Sequence, residues 1–129
     1  MKYKIYTKKV TDSNYLIIDL IPDNAFLSAY LIEIGTTGDV EIIRWFLDGF
    51  EKINSGLANH EVRGGEYYEA SIGSGETLLY TNMFNKDDPE YKEIIINTKI
   101  LYKLMKIWVS ILQEFLSNRE ASIFIEGEV

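Results

Sequence analysis

The run "KILYKLMKIWVSILQEFLS", residues 99–117, restricts what this chain can fold into more than any other stretch. On a helical wheel Leu101, Leu104, Met105, Trp108, Leu112 and Phe115 recur at the three-and-four spacing of one buried face. Ile100, Ile107, Val109, Ile111 and Leu116 widen that face well beyond the stripe of an ordinary surface helix. Lys99, Lys103, Lys106 and Glu114 interrupt it, so it cannot span a bilayer cheaply. Such a helix must be packed on a sheet and covered again from elsewhere. Thr98 is placed to cap it.

Strand-forming runs supply the sheet. "KYKIYT" (2–7) and "NYLIIDL" (14–20) read as strands joined by the polar turn "VTDSN". "AFLSAYLIEIG" (25–35) fits either strand or helix, and its end, "YLIEI", favours a strand. Three isoleucines in "EIIIN" suggest a central strand covered on both faces. The tail "ASIFIEGEV" fits a short strand or a loose end.

A second helix, 39–54, is well punctuated. Asp39 can cap it, Glu41 suits its first turn, and Gly56 can end it. Ile43, Phe46, Leu47, Phe50 and Ile53 form its apolar face. Gly49 interrupts it at a cost of about 1 kcal/mol relative to alanine, which hints at a close neighbour.

The glycine-rich stretch "GGEYYEASIGSGETLLY" (64–80) poses a choice between a phosphate loop and a turn. A phosphate loop needs a helix after it and usually a lysine. Here a β-prone run follows, no lysine is near, and Glu66, Glu69 and Glu76 would repel an anion. "GSG" is a hairpin turn. These elements imply a single α+β domain over residues 1–129, a mostly antiparallel sheet of about five or six strands supported by helices 39–54 and 99–117. A chain of this length can bury roughly two-thirds of its extended surface and needs no staple. It has no cysteine, so disulfides and thiolate metal sites are ruled out.

Charge narrows the partners. Twenty acids against thirteen bases give −7. Residues 1–9 carry four lysines and no acid, residues 10–97 sixteen acids against five bases, and residues 98–129 four of each. The acidic middle repels nucleic acid and attracts a cationic protein, whose encounter it would speed; it also serves solubility. "MKYKIYTKK" lacks the apolar run of a signal peptide. The expectation is a cytoplasmic protein, with no membrane and no nucleic-acid partner, existing as a monomer or small homo-oligomer.

No catalytic constellation stands out. His60 is the only histidine, so a Cys–His pair is excluded, and a Ser–His–acid triad would need His60 with a distant serine and no "GxSxG" elbow. "NKDDPE" begins like a calcium loop, but Pro89 takes the fifth position, Glu90 the glycine position and Ile96 the glutamate position. No catalytic residue, metal ligand or cofactor is assigned.

Two features read as binding. Trp45 falls nearly opposite the Phe46–Leu47–Phe50 face, beside Glu41, Asp48 and Lys52, as an interface anchor would; the plainer alternative is that another element covers it. In "GGEYYE", Tyr67 and Glu69 point to one side and Tyr68 and Ala70 to the other, leaving one tyrosine facing water or in a cross-strand aromatic pair. The candidate partner-binding set is Glu41, Trp45, Asp48, Glu66, Tyr67, Glu69 and the loop acids Asp87, Asp88 and Glu90.

Residues 58–117 run as a polar entry, a short meander, an acidic loop, "EIIINT" and a long apolar helix with a central tryptophan, "LMKIWVSILQEFL". That order resembles small immunity proteins of bacterial polymorphic-toxin and contact-dependent growth inhibition systems. The resemblance implies a cytoplasmic, acidic inhibitor that covers the active site of one toxin domain, commonly a nuclease. It carries over no inhibitory residue. Three readings follow: a non-catalytic inhibitor of a basic toxin, a small carboxylate-dependent enzyme using His60, and a structural or adaptor subunit whose wide apolar helix docks in an assembly.

Overall fold

The computed structural model describes all of residues 1–129. In chain order it contains β1 (Lys2–Val10), β2 (Ser13–Ile21), α1 (Ala25–Thr36), α2 (Val40–Asn54), β3 (His60–Gly64), β4 (Tyr68–Gly73), β5 (Glu76–Thr81), β6 (Glu93–Asn97), α3 (Thr98–Ser117) and β7 (Phe124–Glu128). The class is α+β, but three helices and seven strands replace the two and five or six expected. The strands form two antiparallel sheets, ordered β2-β1-β7 and β3-β4-β5-β6.

The smaller sheet closes the chain on itself. The tail is a strand, and its register sets Glu126 opposite Lys4 and Glu128 opposite Lys2. The lysines at the start therefore face acids at the end, a favourable cross-strand arrangement. In the larger sheet, Ala70, Ile72, Thr77, Leu79 and Ile96 point inward, towards the helices. Alternate residues, including Val62, Ser71, Leu78 and Ile95, point to the other face, where no helix packs.

One contiguous buried apolar cluster draws on both sheets and all three helices. All six residues of the central arc of α3 belong to it, and Trp108 is completely enclosed. Its indole Nε1–H donates to the Leu31 carbonyl at 2.6 Å, tying α3 to α1. Asp39 caps α2 as expected, accepting from Glu41 N–H at 2.8 Å, and the chain leaves that helix through Gly56 at φ 78°.

Three expectations are corrected. Residues 25–36 form a helix, not a strand: Leu27, Tyr30, Leu31 and Ile34 are buried at helical spacing, and Asn24 caps the helix by accepting from Leu27 N–H at 3.1 Å. α1 is apolar on nearly all sides, so a five-residue window inside it passes for a strand. α3 is capped by Asn97, which accepts from Ile100 N–H at 3.1 Å. Thr98 is instead its first residue, buried, with its hydroxyl donating to Gly73 O at 2.7 Å and lying 2.8 Å from that of Thr77. Finally, "EIIIN" is not central. It is the edge strand β6, with Ile96 buried but Ile95 65% exposed.

Candidate functional site

One end of the molecule gathers the N-terminal half of α2, the β3–β4 turn and the long β5–β6 loop. Between α1, α2 and that turn lies a cleft of about 220 Å³ lined by Glu33, Thr37, Ile42, Trp45, Glu66 and Tyr67, among others. Three residues of its wall are large, apolar and open to solvent: Ile42 at 42%, Trp45 at 44% and Tyr67 at 48%. Trp45 is thus exposed, not covered by a second element. Its ring meets Phe46 edge-on, with centroids 5.1 Å apart.

What holds Trp45 outward is Arg63, which the sequence reading passed over. This side chain is almost fully buried between β3 and α2. Its Nε–H donates to the Trp45 carbonyl at 2.8 Å, Nη1 to Glu61 at 2.8 Å and Nη2 to Asp48 at 3.2 Å. The guanidinium also lies 4.7 Å from the centre of the indole ring, a cation–π contact made away from bulk water. A buried charge is tolerable only when paired and hydrogen-bonded in this way. The available signal was that Arg63 is the only base between Lys52 and Lys86.

Gly49 makes room for that arginine. A β-carbon there would stand 2.7 Å from Arg63 Cγ and 3.0 Å from Nε. This is the close neighbour that a glycine in mid-helix suggested. Gly49→Ala should therefore destabilise the protein by about 1–3 kcal/mol through overpacking, despite alanine's better helix propensity. A urea titration checks it; unchanged or raised stability would mean that Arg63 moves aside freely.

Glu33 fixes the opposite wall. Its carboxylate accepts from Tyr67 N–H at 3.0 Å and from Tyr68 N–H at 3.3 Å, fastening the β3–β4 turn to α1. Partial burial raises its pKa, and the backbone hydrogen bonds oppose that rise. Tyr68 turns inward against Phe26, centroids 5.2 Å apart, so of the two tyrosines it is Tyr67 that reaches the cleft.

The structure brings together part of the expected set. Trp45, Glu66 and Tyr67 share the cleft. Glu41 is exposed one turn before Trp45. Asp48 is shared between Arg63 and Lys52, each at 3.2 Å, so its charge is balanced within the chain. Glu69 lies on the outer sheet face and accepts the Tyr80 hydroxyl. Desolvation first, then the bond and charge of Glu69, push the Tyr80 pKa up to about 12. Asp87, Asp88 and Glu90 sit in the exposed β5–β6 loop. That loop is zipped to the β3–β4 turn by Asn82, whose side-chain amide donates to Gly65 O at 2.7 Å and whose N–H donates to Tyr67 O at 3.1 Å. Glu41, Glu66, Asp87, Asp88 and Glu90 form no ion pair.

His60 has found a serine. Its Nε2 lies 2.6 Å from Ser71 Oγ, but on the open face of the sheet and with no acid bonded to its other nitrogen. A triad needs that third group to orient the imidazole. A second hollow, of about 200 Å³ and mainly apolar, lies between β2, α1 and α3 and contains no carboxylate. No helix is long and apolar enough to cross a membrane. No protein-family model matches the chain, and no curated protein or solved structure matches it either.

Proposed function

We propose that this protein is a non-catalytic, cytoplasmic inhibitor that seats a basic protein partner on the Trp45–Tyr67 cleft, and that the partner is a toxin domain. The observation that carries this reading is the cleft wall. Ile42, Trp45 and Tyr67 stand exposed around one hollow, with the unpaired carboxylates of Glu41 and Glu66 beside them. An aromatic anchor within a polar rim is the usual anatomy of an interface hot spot. Arg63 and Glu33 hold both walls before any partner arrives, which lowers the ordering cost of binding. The immunity role rests on the architectural resemblance together with the acidic middle segment.

The immunity reading expects a toxin domain encoded beside this gene, and co-expression with that domain tests the role. Wild-type protein should bind that domain and rescue the cells; failure to do either overturns the immunity reading. Neutralising Glu66, Asp87, Asp88 and Glu90 together should slow association and flatten its salt dependence. Exposed charges act mainly on encounter and are screened over about 8 Å at physiological ionic strength. The enzyme reading would regain ground if the purified protein hydrolysed an ester or phosphoester and His60→Ala abolished that turnover.

A further inference from the structure

The edge strand β6 is the place where the molecule departs furthest from the rules for protecting a sheet. Natural edges are blunted by charges, prolines or bulges, because a row of unpaired backbone groups invites another strand. Three of the four edges here follow that rule. β2 carries Asp19 and runs into Pro22, β3 carries Glu61, and β7 carries Glu126 and Glu128. β6 carries a charge only at its first residue, Glu93; it has three isoleucines at its centre, and Ile95 is 65% exposed.

The backbone parity of β6 can be read from its ends. Thr81 N–H donates to Lys92 O at 3.1 Å, and Thr98 N–H donates to Gly75 O at 3.0 Å. Hydrogen-bonded pairs alternate along an antiparallel ladder, so the even-numbered residues of β6 spend their backbone groups on β5. The N–H and C=O groups of Glu93 and Ile95 and the N–H of Asn97 point to the open edge, the Asn97 carbonyl being spent on the first turn of α3, and all three residues are exposed.

We infer that this edge pairs with β6 of a second copy of the chain, antiparallel and centred on Ile95. The strand is self-complementary in that register. Ile95 meets Ile95 of the second copy as a hydrogen-bonded pair, and Glu93 meets Asn97 of the second copy in both directions. Like charges never stand directly opposite. On the inner side, Ile94 meets Ile96 of the second copy. The same pairing about the centre of β7 would set Glu126 against Glu126 of the second copy, which is repulsive. On the outer face the cross-strand row Val62–Ser71–Leu78–Ile95 continues into its own mirror across the two-fold axis, covering the most exposed isoleucine of the molecule. The result is one eight-stranded sheet, closed by symmetry at an isologous interface. The cleft around Trp45 lies outside it.

Light scattering or sedimentation on the full chain, over a concentration series to the solubility limit, tests the pairing. The mass should rise from 14.9 kDa towards twice that value. Because the chain is acidic, added salt should strengthen this self-association by screening, whereas it should weaken docking of a basic partner on the cleft. The two readings can therefore fail separately. Ile95→Lys should keep the protein monomeric with an unchanged circular dichroism spectrum. Ile95→Cys supplies a second measurement, since the chain has no other cysteine. Opposed hydrogen-bonded residues lie about 5.5 Å apart at Cα, inside the span of roughly 4.4–6.8 Å that a disulfide bridges. This variant should cross-link under mild oxidation faster than Leu57→Cys, whose position is exposed away from the edge. A wild type that stays monomeric throughout, an Ile95→Lys protein that still dimerises, or equal cross-linking of the two cysteine variants would each overturn the proposal. So would free protein that is monomeric but loses toxin binding on Ile95→Lys, which would assign the edge to a strand of the toxin.

Discussion

Replacing Trp108 with alanine should cost the fold about 3–5 kcal/mol, a large share of the roughly 5–15 kcal/mol that holds an ordinary domain folded. The side chain is fully enclosed at the middle of α3, among residues contributed by both sheets and the other two helices. Its removal leaves a cavity that these elements cannot close, because α1 and α3 already touch: a β-carbon at Gly35 would stand 2.8 Å from Leu112 Cδ2 and 3.8 Å from Trp108 Cζ2. Alanine also strips the Leu31 carbonyl of the indole donor. Trp108→Phe separates the two losses, keeping most of the volume while removing the hydrogen bond, and should cost about 1–3 kcal/mol. Urea titrations followed by circular dichroism give both values. An alanine variant losing less than about 1 kcal/mol would show that the arc of α3 is not where stability resides.

What could be read from the residues alone divides by the range of the signal. The arc of α3, the Asp39 cap and the "GSG" turn are each defined within one element, by period, by a capping side chain or by glycine, and each stands in the structure. α1 failed because an element apolar on most sides carries little periodic information over five residues. β6 failed for another reason. Three isoleucines predict burial on both sides, and a single chain buries only one. The helical wheel set Trp45 off the apolar face of α2, and strand alternation separated Tyr67 from Tyr68, but both left open whether another element covers them; the exposure of Trp45 and Tyr67 is a finding of the structure. Arg63 was not, since nothing local announces that an arginine beside two glycines will run under a helix through the gap at a third glycine. That contact links positions 45, 49 and 63, and no window of sequence contains their geometry.

Trp45→Ala should remove at least about 2 kcal/mol of partner binding while leaving the protein folded, as expected of a hot-spot tryptophan. The reason lies in how the ring is held. It is 44% exposed in the free protein, so just over half of it is already buried, and its main internal contacts are the edge of Phe46 and the Arg63 guanidinium. Loss of the cation–π contact costs about 0.5–2 kcal/mol. Arg63 keeps its bonds to Asp48, Glu61 and the residue-45 carbonyl, which survives the substitution. The circular dichroism spectrum should therefore stay close to wild type, with the melt lowered but still cooperative. In binding kinetics with the proposed basic partner the loss should fall on dissociation, because anchors act after encounter, whereas neutralised rim acids should act on association. Trp45→Phe should recover part of the affinity, and Tyr67→Ala should weaken binding by a coupled amount, since both rings line one cleft. Dissociation unchanged by Trp45→Ala in a folded protein that still binds its partner would place the interface elsewhere on the molecule.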